Sequence, residues 1–120
     1  MTTNNSDTSI QMPPPLTLRE YSAGAQSTAL YDPAHGLDYC VHGLTSEAGE
    51  VAGVVKRRYR GDHEGINQEA LLKELGDTLW YVSEAARCGG SSLEAVARMN
   101  LDKLAKRKAA GTIIGKGDNR

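Results

Sequence analysis

Apolar residues recur at intervals of three and four along most of the chain, which is the spacing of an amphipathic α-helix. The pattern predicts four helices, over about residues 17–31, 37–60, 67–87 and 91–110. No segment alternates apolar and polar residues over the length of a strand. The sequence therefore predicts an all-α fold, a four-helix, bundle-like arrangement.

Capping residues support these boundaries. "TLRE", from Thr17 to Glu20, and "SSLE", from Ser91 to Glu94, both match the capping-box pattern of a helix N-terminus. Asn67 is a good N-cap for the third helix. "DPAHG" separates the first two helices, because a proline disfavours a helical residue before it and a glycine permits a turn.

A chain of 120 residues is long enough for one domain with a modest core. Residues 1–16 are rich in Thr, Asn and Ser and contain three consecutive prolines, so we expect them to be disordered or extended. The single helical domain is expected over residues 17–120. Its last ten residues, 111–120, contain several glycines and predict a flexible C-terminal tail.

Charge and composition exclude several classes of function. Fourteen Lys and Arg residues oppose fifteen Asp and Glu residues, so no electrostatic argument favours a nucleic-acid or membrane partner. No apolar run approaches the roughly 20 residues of a membrane span, and the N-terminus lacks the pattern of a secretory signal. Cys40 and Cys88 have no metal-site spacing, and we interpret them as reduced thiols in a cytoplasmic protein.

Two pairs of carboxylates stand out within the helical pattern. Glu74 and Asp77 lie beside the apolar stripe of the third helix, and Glu47 and Glu50 lie in the same way beside that of the second. The two stripes consist of Leu71, Leu75, Leu79, Val82 and Ala86, and of Leu44, Ala48, Val51 and Val55. If the two helices pack antiparallel through these stripes, the four carboxylates converge on one small region.

Four anions in a partly buried site repel one another and lose hydration, which raises their pKa values or separates the helices. A divalent cation resolves this conflict, and carboxylate oxygens favour Mg²⁺ or Mn²⁺ over Zn²⁺. The alternative is that both pairs are ordinary solvated charges on helix surfaces, as expected for the i,i+4 pair Glu69 and Lys73.

Four segments resemble a known family. "EAGE" at Glu47–Glu50 and "ELGD" at Glu74–Asp77, followed by "WYV", are similar to the paired acidic motifs of the MazG-like nucleotide pyrophosphohydrolases, in the all-α NTP pyrophosphatase superfamily. "NLDKLAKR" and "GTIIGKGDNR" resemble the later segments of the short, phage-type branch. The resemblance covers about residues 17–120. One departure is Ser46, where some relatives carry a further acid.

The resemblance implies hydrolysis of (d)NTPs to (d)NMP and pyrophosphate, with two or more Mg²⁺ or Mn²⁺ ions per site. It also implies a homo-oligomer, either a dimer or a homotetramer built from two dimers. In the phage-type branch the substrates are commonly deoxynucleotides, which favours dNTPs and, among them, purines such as dGTP. The protein would then act in the cytoplasm, that of the host if a phage encodes it.

The resemblance also implies roles for single residues. Glu47, Glu50, Glu74 and Asp77 would hold the metals, and either Glu47 or Glu50 would accept the proton of the attacking water. Seven further residues would contact nucleotide or phosphate: Tyr81, Asn100, Lys103, Arg107, Lys116, Asp118 and Arg120. The last three would close over the site, reaching in from a neighbouring subunit.

Two other functions remain open at this level. Phosphoribosyl-ATP pyrophosphohydrolase shares the fold and would differ in substrate. A non-catalytic helical interaction module would carry the same acids as surface charge. Trp80 is similarly open, because its position away from the Leu stripe suits either a subunit interface or an aromatic surface for the base.

Overall fold

A computed structural model describes residues 13–61 and 64–120 of the chain. The helices are α1 (Leu18–Ser27), α2 (Gly36–Arg60), α3 (Gln68–Cys88) and α4 (Leu93–Ala110), and a short 3-10 turn (Pro33–His35) precedes α2. None of the described residues is in a strand. The predicted all-α, four-helix fold is confirmed.

Side-chain caps fix three of the helix starts. Thr17 accepts a hydrogen bond of 3.1 Å from the backbone N–H of Glu20, and Asn67 accepts one of 3.1 Å from Ala70. The predicted capping box at Ser91 is wrong by one residue. Ser92 caps α4, and Glu94 pairs instead with Arg19 of α1 at 3.0 Å. The Glu94 carboxylate thus forms an interhelical ion pair and does not take part in a capping box.

The first helix is shorter than predicted, because it ends at Ser27 rather than at about Tyr31. The Thr28 hydroxyl donates to the carbonyl of Ala25 at 2.8 Å, which closes the last turn. Residues 29–32 then cross to the 3-10 turn, which Asp32 caps by accepting from Ala34 N–H at 2.9 Å. This crossing allows Tyr31 to reach α3, as described below.

The two acid-bearing helices, α2 and α3, form an antiparallel pair that dominates the packing. Gly36 lies against Cys88 at one end of the pair, and Gly43 lies against Tyr81 further along. Both α1 and α4 pack against α3 and against each other. The third helix is therefore the central element of the chain.

The core of a single chain is small. Among the described residues, only Ala25, Cys40, Val54 and Leu93 are buried apolar positions. The expected packing of α3 through its leucine stripe is wrong for the isolated chain, since Leu75 and Leu79 are 45% and 39% exposed. The face with the acids packs on α2 instead, because one chain has too few helices to cover both sides of α3.

The expected N-terminal segment, residues 1–16, falls mostly outside the described residues. Its last four residues, 13–16, are non-helical and exposed.

Candidate active site

Three carboxylates from two helices converge at the middle of the α2–α3 pair. Glu47 comes from α2, and Glu74 and Asp77 come from adjacent turns of α3. One carboxylate oxygen of each residue lies within 4.8 Å of those of the other two. Glu47 and Glu74 are half-buried and Asp77 is exposed, so the cluster opens to solvent on one side.

The surroundings of Glu47 in this acid cluster favour its protonated form. Its pKa is raised, first by loss of hydration and then by the negative charges of Asp77 and Glu74. A hydrogen bond between the carboxyl groups of Glu47 and Glu74 also raises it. The cluster therefore holds a proton more tightly than a separate carboxylate does, which is the behaviour of a group of anions that can accept a cation.

Glu50, the fourth predicted ligand, is exposed and lies outside this group of three. Its charge still contributes to the raised pKa of Glu47, so the two carboxylates are close enough to interact. The structure thus brings three of the four acids together and leaves the fourth at the edge.

Tyr81 lies directly beside the acid cluster. Its ring fills the space over Gly43, where any Cβ would collide with the ring carbons. The pKa of Tyr81 is raised to about 12, first by a hydrogen bond with Tyr39 and further by burial and the charge of Glu47. A glycine at position 43 is required for this close approach of the Tyr81 ring to α2. Tyr81 itself lies one turn after Asp77 on α3.

A cavity of about 340 Å³ adjoins the acids. Its lining residues come from three elements and are Thr28, Glu47, Asp77, Trp80 and Tyr81. The indole N–H of Trp80 donates to the Thr28 hydroxyl at 2.9 Å, which fixes the indole ring at the wall. Trp80 meets the Tyr81 ring edge-on, with 4.9 Å between ring centroids.

A buried polar network supports this wall from behind, and sequence reasoning missed it. The Glu84 side chain is fully buried, and its carboxylate accepts hydrogen bonds from the Tyr31 hydroxyl at 2.6 Å and from Arg87 at 2.8 Å and 3.0 Å. The Tyr31 ring in turn stacks on Tyr39 at 5.0 Å and meets Trp80 edge-on at 6.4 Å. The only sequence signal was an acid three residues before an arginine on α3.

The predicted phosphate contacts on α4 and in the tail form a separate cluster. Arg107 is buried, and its guanidinium donates to the Asp118 carboxylate at 3.1 Å and to the Gly117 carbonyl at 3.3 Å. Lys103 pairs with the same carboxylate at 3.3 Å. Arg120 donates to the carbonyl of Thr112 at 3.2 Å, so the described tail folds back onto its own helix.

Within one chain, this tail cluster does not reach the acids. None of the described residues of α4 or the tail lines the cavity beside Glu47 and Asp77, and α4 makes no contact with α2 among them. Asn100 and Lys103 line a different cavity, of about 260 Å³, and Lys116 is exposed. Of the seven predicted substrate contacts, only Tyr81 lies beside the acid cluster.

Comparison with known proteins gives a consistent assignment. The profile of the MazG nucleotide pyrophosphohydrolase domain matches residues 36–111, which include all four acids. The chain belongs to the MazG nucleotide pyrophosphohydrolase family. It is also 42% identical over 110 residues to the "Gene 37 protein" of Mycobacterium phage L5, covering 83% of this chain and 96% of that protein. No solved structure matches the chain.

The family assignment confirms the predicted resemblance to the phage-type MazG-like proteins. MazG proteins are in general dependent on divalent metals, and the acid cluster provides oxygen ligands of the right kind. None of the described helices combines the length and the apolarity that a bilayer crossing requires.

Proposed function

We propose that this MazG protein hydrolyses nucleoside triphosphates to the monophosphate and pyrophosphate. The observation that carries the proposal is the convergence of Glu47, Glu74 and Asp77, with oxygens within 4.8 Å of one another, beside a cavity lined by aromatic residues. An all-carboxylate site repels a triphosphate, so the arrangement is useful for this chemistry only together with bound cations.

The donor atoms fit Mg²⁺ or Mn²⁺, which prefer carboxylate oxygens. Glu47, Glu74 and Asp77 would hold the ions, of which we expect two or more, and Glu50 is the fourth expected ligand. The bound ions would supply positive charge that offsets both the carboxylates and the triphosphate. The raised pKa of Glu47 supports this fit, because it shows that the neighbouring carboxylates favour a bound positive charge at this position.

Other residues of the chain would accept the proton of the attacking water and contact the phosphates and the nucleoside. Glu50 is the better candidate than Glu47 for accepting the proton of the attacking water, because Glu47 shares a hydrogen bond with Glu74 and Glu50 lies at the open edge. Tyr81 would face the phosphates with its hydroxyl. Thr28 and Trp80 would border the nucleoside end of the substrate in the same cavity.

A second copy of the chain would complete the site. Leu75 and Leu79 of the α3 stripe are exposed in one copy, and α4 exposes Val96, Met99 and Leu101. Burial of such apolar surface favours association. We propose that the resulting homo-oligomer, a dimer or a dimer of dimers, brings the basic tail cluster of one copy to the acids of the next. Lys103, Arg107, Lys116 and Arg120 would then offset the charge of the leaving pyrophosphate.

We expect deoxynucleoside triphosphates, with purines such as dGTP first, acted on in the cytoplasm of the cell. This preference rests on the resemblance to the phage-type branch.

The decisive experiment is a panel of all (d)NTPs, and phosphoribosyl-ATP beside them, with Mg²⁺ or Mn²⁺ and with monophosphate and pyrophosphate both quantified. Glu47→Gln and Asp77→Asn should each lower turnover by about a hundredfold or more, because each removes a metal ligand. Glu69→Gln is the matched control, since this exposed acid on α3 pairs with Lys73.

Equal activity of all three variants would refute the assignment of the acids. Turnover of phosphoribosyl-ATP alone would favour the alternative substrate. Absence of turnover, with no effect of either metal on the melting temperature, would favour the interaction module.

A further inference from the structure

A second reactive cluster lies two helix turns from Glu47 along α2 and takes no part in the proposed hydrolysis. Cys40 lies in the second turn of α2, and Cys88 is the last residue of α3. The Tyr31 hydroxyl lies 3.1 Å from the Cys88 sulfur. The Cys40 thiol lies close enough to both groups to interact with them.

The antiparallel helix pair explains why the thiols meet. Cα–Cβ bonds on a helix tilt toward its N-terminus. Cys40 therefore points back toward Gly36, the residue of α2 that faces Cys88, and Cys88 points back toward Cys40. Gly36 makes the approach possible, because a Cβ at that position would lie only 2.9 Å from the Cys88 sulfur.

The two thiols differ in their access to solvent. Cys88 is half-buried and lines a cavity of about 510 Å³ together with Tyr31 and Arg87. Cys40 is fully buried, and burial is the main reason that its pKa is raised. A small oxidant entering the cavity therefore reaches Cys88 before Cys40.

We propose that Cys40 and Cys88 are a peroxide-oxidisable thiol pair that forms a reversible disulfide between α2 and α3. The sulfur of Cys88 attacks hydrogen peroxide and breaks the O–O bond, which gives the sulfenic acid and hydroxide, and the proton lost by the Cys88 thiol converts the hydroxide to water. The Cys40 thiol then attacks the sulfenic sulfur, forming the S–S bond and releasing a second water. The two thiols lose two electrons and two protons in total, and peroxide is reduced to two waters.

The disulfide would join the same two helices that hold the acid cluster. Cys40 and Glu47 are seven residues apart on α2, which is two turns along one face. Oxidation would also replace the contact of the Cys88 thiol with Tyr31, the residue that packs against Trp80. Oxidation of the pair would thereby affect Trp80, which lines the cavity beside Glu47 and Asp77.

The test is to count the reactive thiols of the full chain after oxidation and again after reduction. After hydrogen peroxide treatment, the denatured protein should take up no N-ethylmaleimide, should have a monomer mass lower by two hydrogens, and should regain two reactive thiols with dithiothreitol. Tryptic digestion should give residues 20–56 linked to residues 88–98. In denaturant the disulfide should form at least about tenfold more slowly, because the fold no longer holds the thiols together.

Single-cysteine variants identify the order of attack. Cys40→Ser should leave a sulfenic acid at Cys88 that dimedone traps, and Cys88→Ser should leave Cys40 unreactive on the same timescale. Two free thiols after peroxide treatment of the wild-type chain would overturn the proposal. A disulfide between two chains, a rate unchanged in denaturant, or dimedone labelling at Cys40 instead of Cys88 would do so as well.

Discussion

The indole N–H of Trp80 donates a 2.9 Å hydrogen bond to the hydroxyl of Thr28, the residue that caps the C-terminus of α1. Through this bond the helix bearing Glu74 and Asp77 is tied to the end of α1 at the wall of the active-site cavity. The bond makes the position of the indole ring depend on the α1 terminus, 52 residues away in sequence.

Replacing Trp80 with Phe should keep an aromatic wall and remove this donor. We expect the free energy of unfolding to fall by about 1 kcal/mol and, under the proposed function, KM to rise about fivefold with kcat little changed. Urea unfolding and steady-state kinetics measure the two effects. In a double-mutant cycle, Thr28→Val should cost little more in the Trp80→Phe background, and full additivity would contradict the proposed coupling.

The raised pKa of Glu47 predicts a pH-dependent stability in the absence of metal. The fold favours the protonated form of Glu47, so the folded chain binds this proton more tightly than the unfolded chain does. The metal-free melting temperature should therefore fall as pH rises from the ordinary pKa of 4.5 through the raised value. Calorimetry in a chelator across this range measures the slope.

Magnesium should reverse this trend, because a cation competes with the proton for the same carboxylates. The increase in melting temperature on adding Mg²⁺ should be larger at about pH 8 than at about pH 5.5. Glu47→Gln should weaken both effects, whereas Glu69→Gln should leave both as in the wild type. A magnesium effect that did not depend on pH would contradict this account of the acid cluster.

Removing the buried carboxylate of Glu84 should be among the most destabilising changes in the chain. Glu84→Gln deprives Arg87 of its anionic partner inside the fold, and we expect a loss of about 2 kcal/mol at neutral pH. The hydrogen bonds from Arg87 are the main reason that the pKa of Glu84 is lowered. This stabilisation is present above pH 4.5 and is lost as pH falls through the folded pKa, so the penalty should shrink in acid.

Chemical denaturation at two pH values measures this loss. Glu69→Gln again serves as the comparison, since an exposed i,i+4 pair is worth only about 0.3–0.5 kcal/mol. Equal costs for the two variants would mean that the Glu84 network contributes no more than a surface pair.

The exposed leucines of the α3 stripe, Leu75 and Leu79, predict that the chain associates through this face. Leu75→Glu places a charge in the proposed interface and should shift the protein toward monomer, with a melting temperature that no longer rises with protein concentration. Light scattering after size exclusion measures the mass. Leu75→Met keeps the apolar character and should retain the oligomer. A monomeric wild type would remove the basis for completing the site with a second copy.

Much of the fold could be predicted from local signals. Asn67 and Gly111 bound their helices as expected, because N-caps and glycine C-caps satisfy free backbone groups in nearly any context. The end of α1 was misplaced, because Thr28 closes the helix by a side-chain bond that is not apparent in the sequence pattern. The role of the Leu75 and Leu79 stripe was also misjudged, since periodicity reports that a face is apolar and not which partner covers it.

The candidate active site was likewise predicted only in part. The convergence of Glu47 with Glu74 and Asp77 was predicted from helix phase and an antiparallel helix pair, although the expected contact through Leu75 and Leu79 is not the one that forms. The support of Trp80 through Tyr31 and Glu84 could not be predicted, because these contacts join residues far apart in sequence and depend on how the segment after α1 crosses the bundle. Sequence periodicity carries no information about such a crossing.

The ion pairs that Asp118 makes with Arg107 and Lys103 have a consequence for any phosphate that binds there. Both cations already hold an anion supplied by the same polypeptide, so an incoming phosphoryl group enters by exchange and must release the C-terminal residues from α4. Phosphate binding at that cluster is thus coupled to detachment of the tail, and Asp118 competes with phosphate for the same two cations.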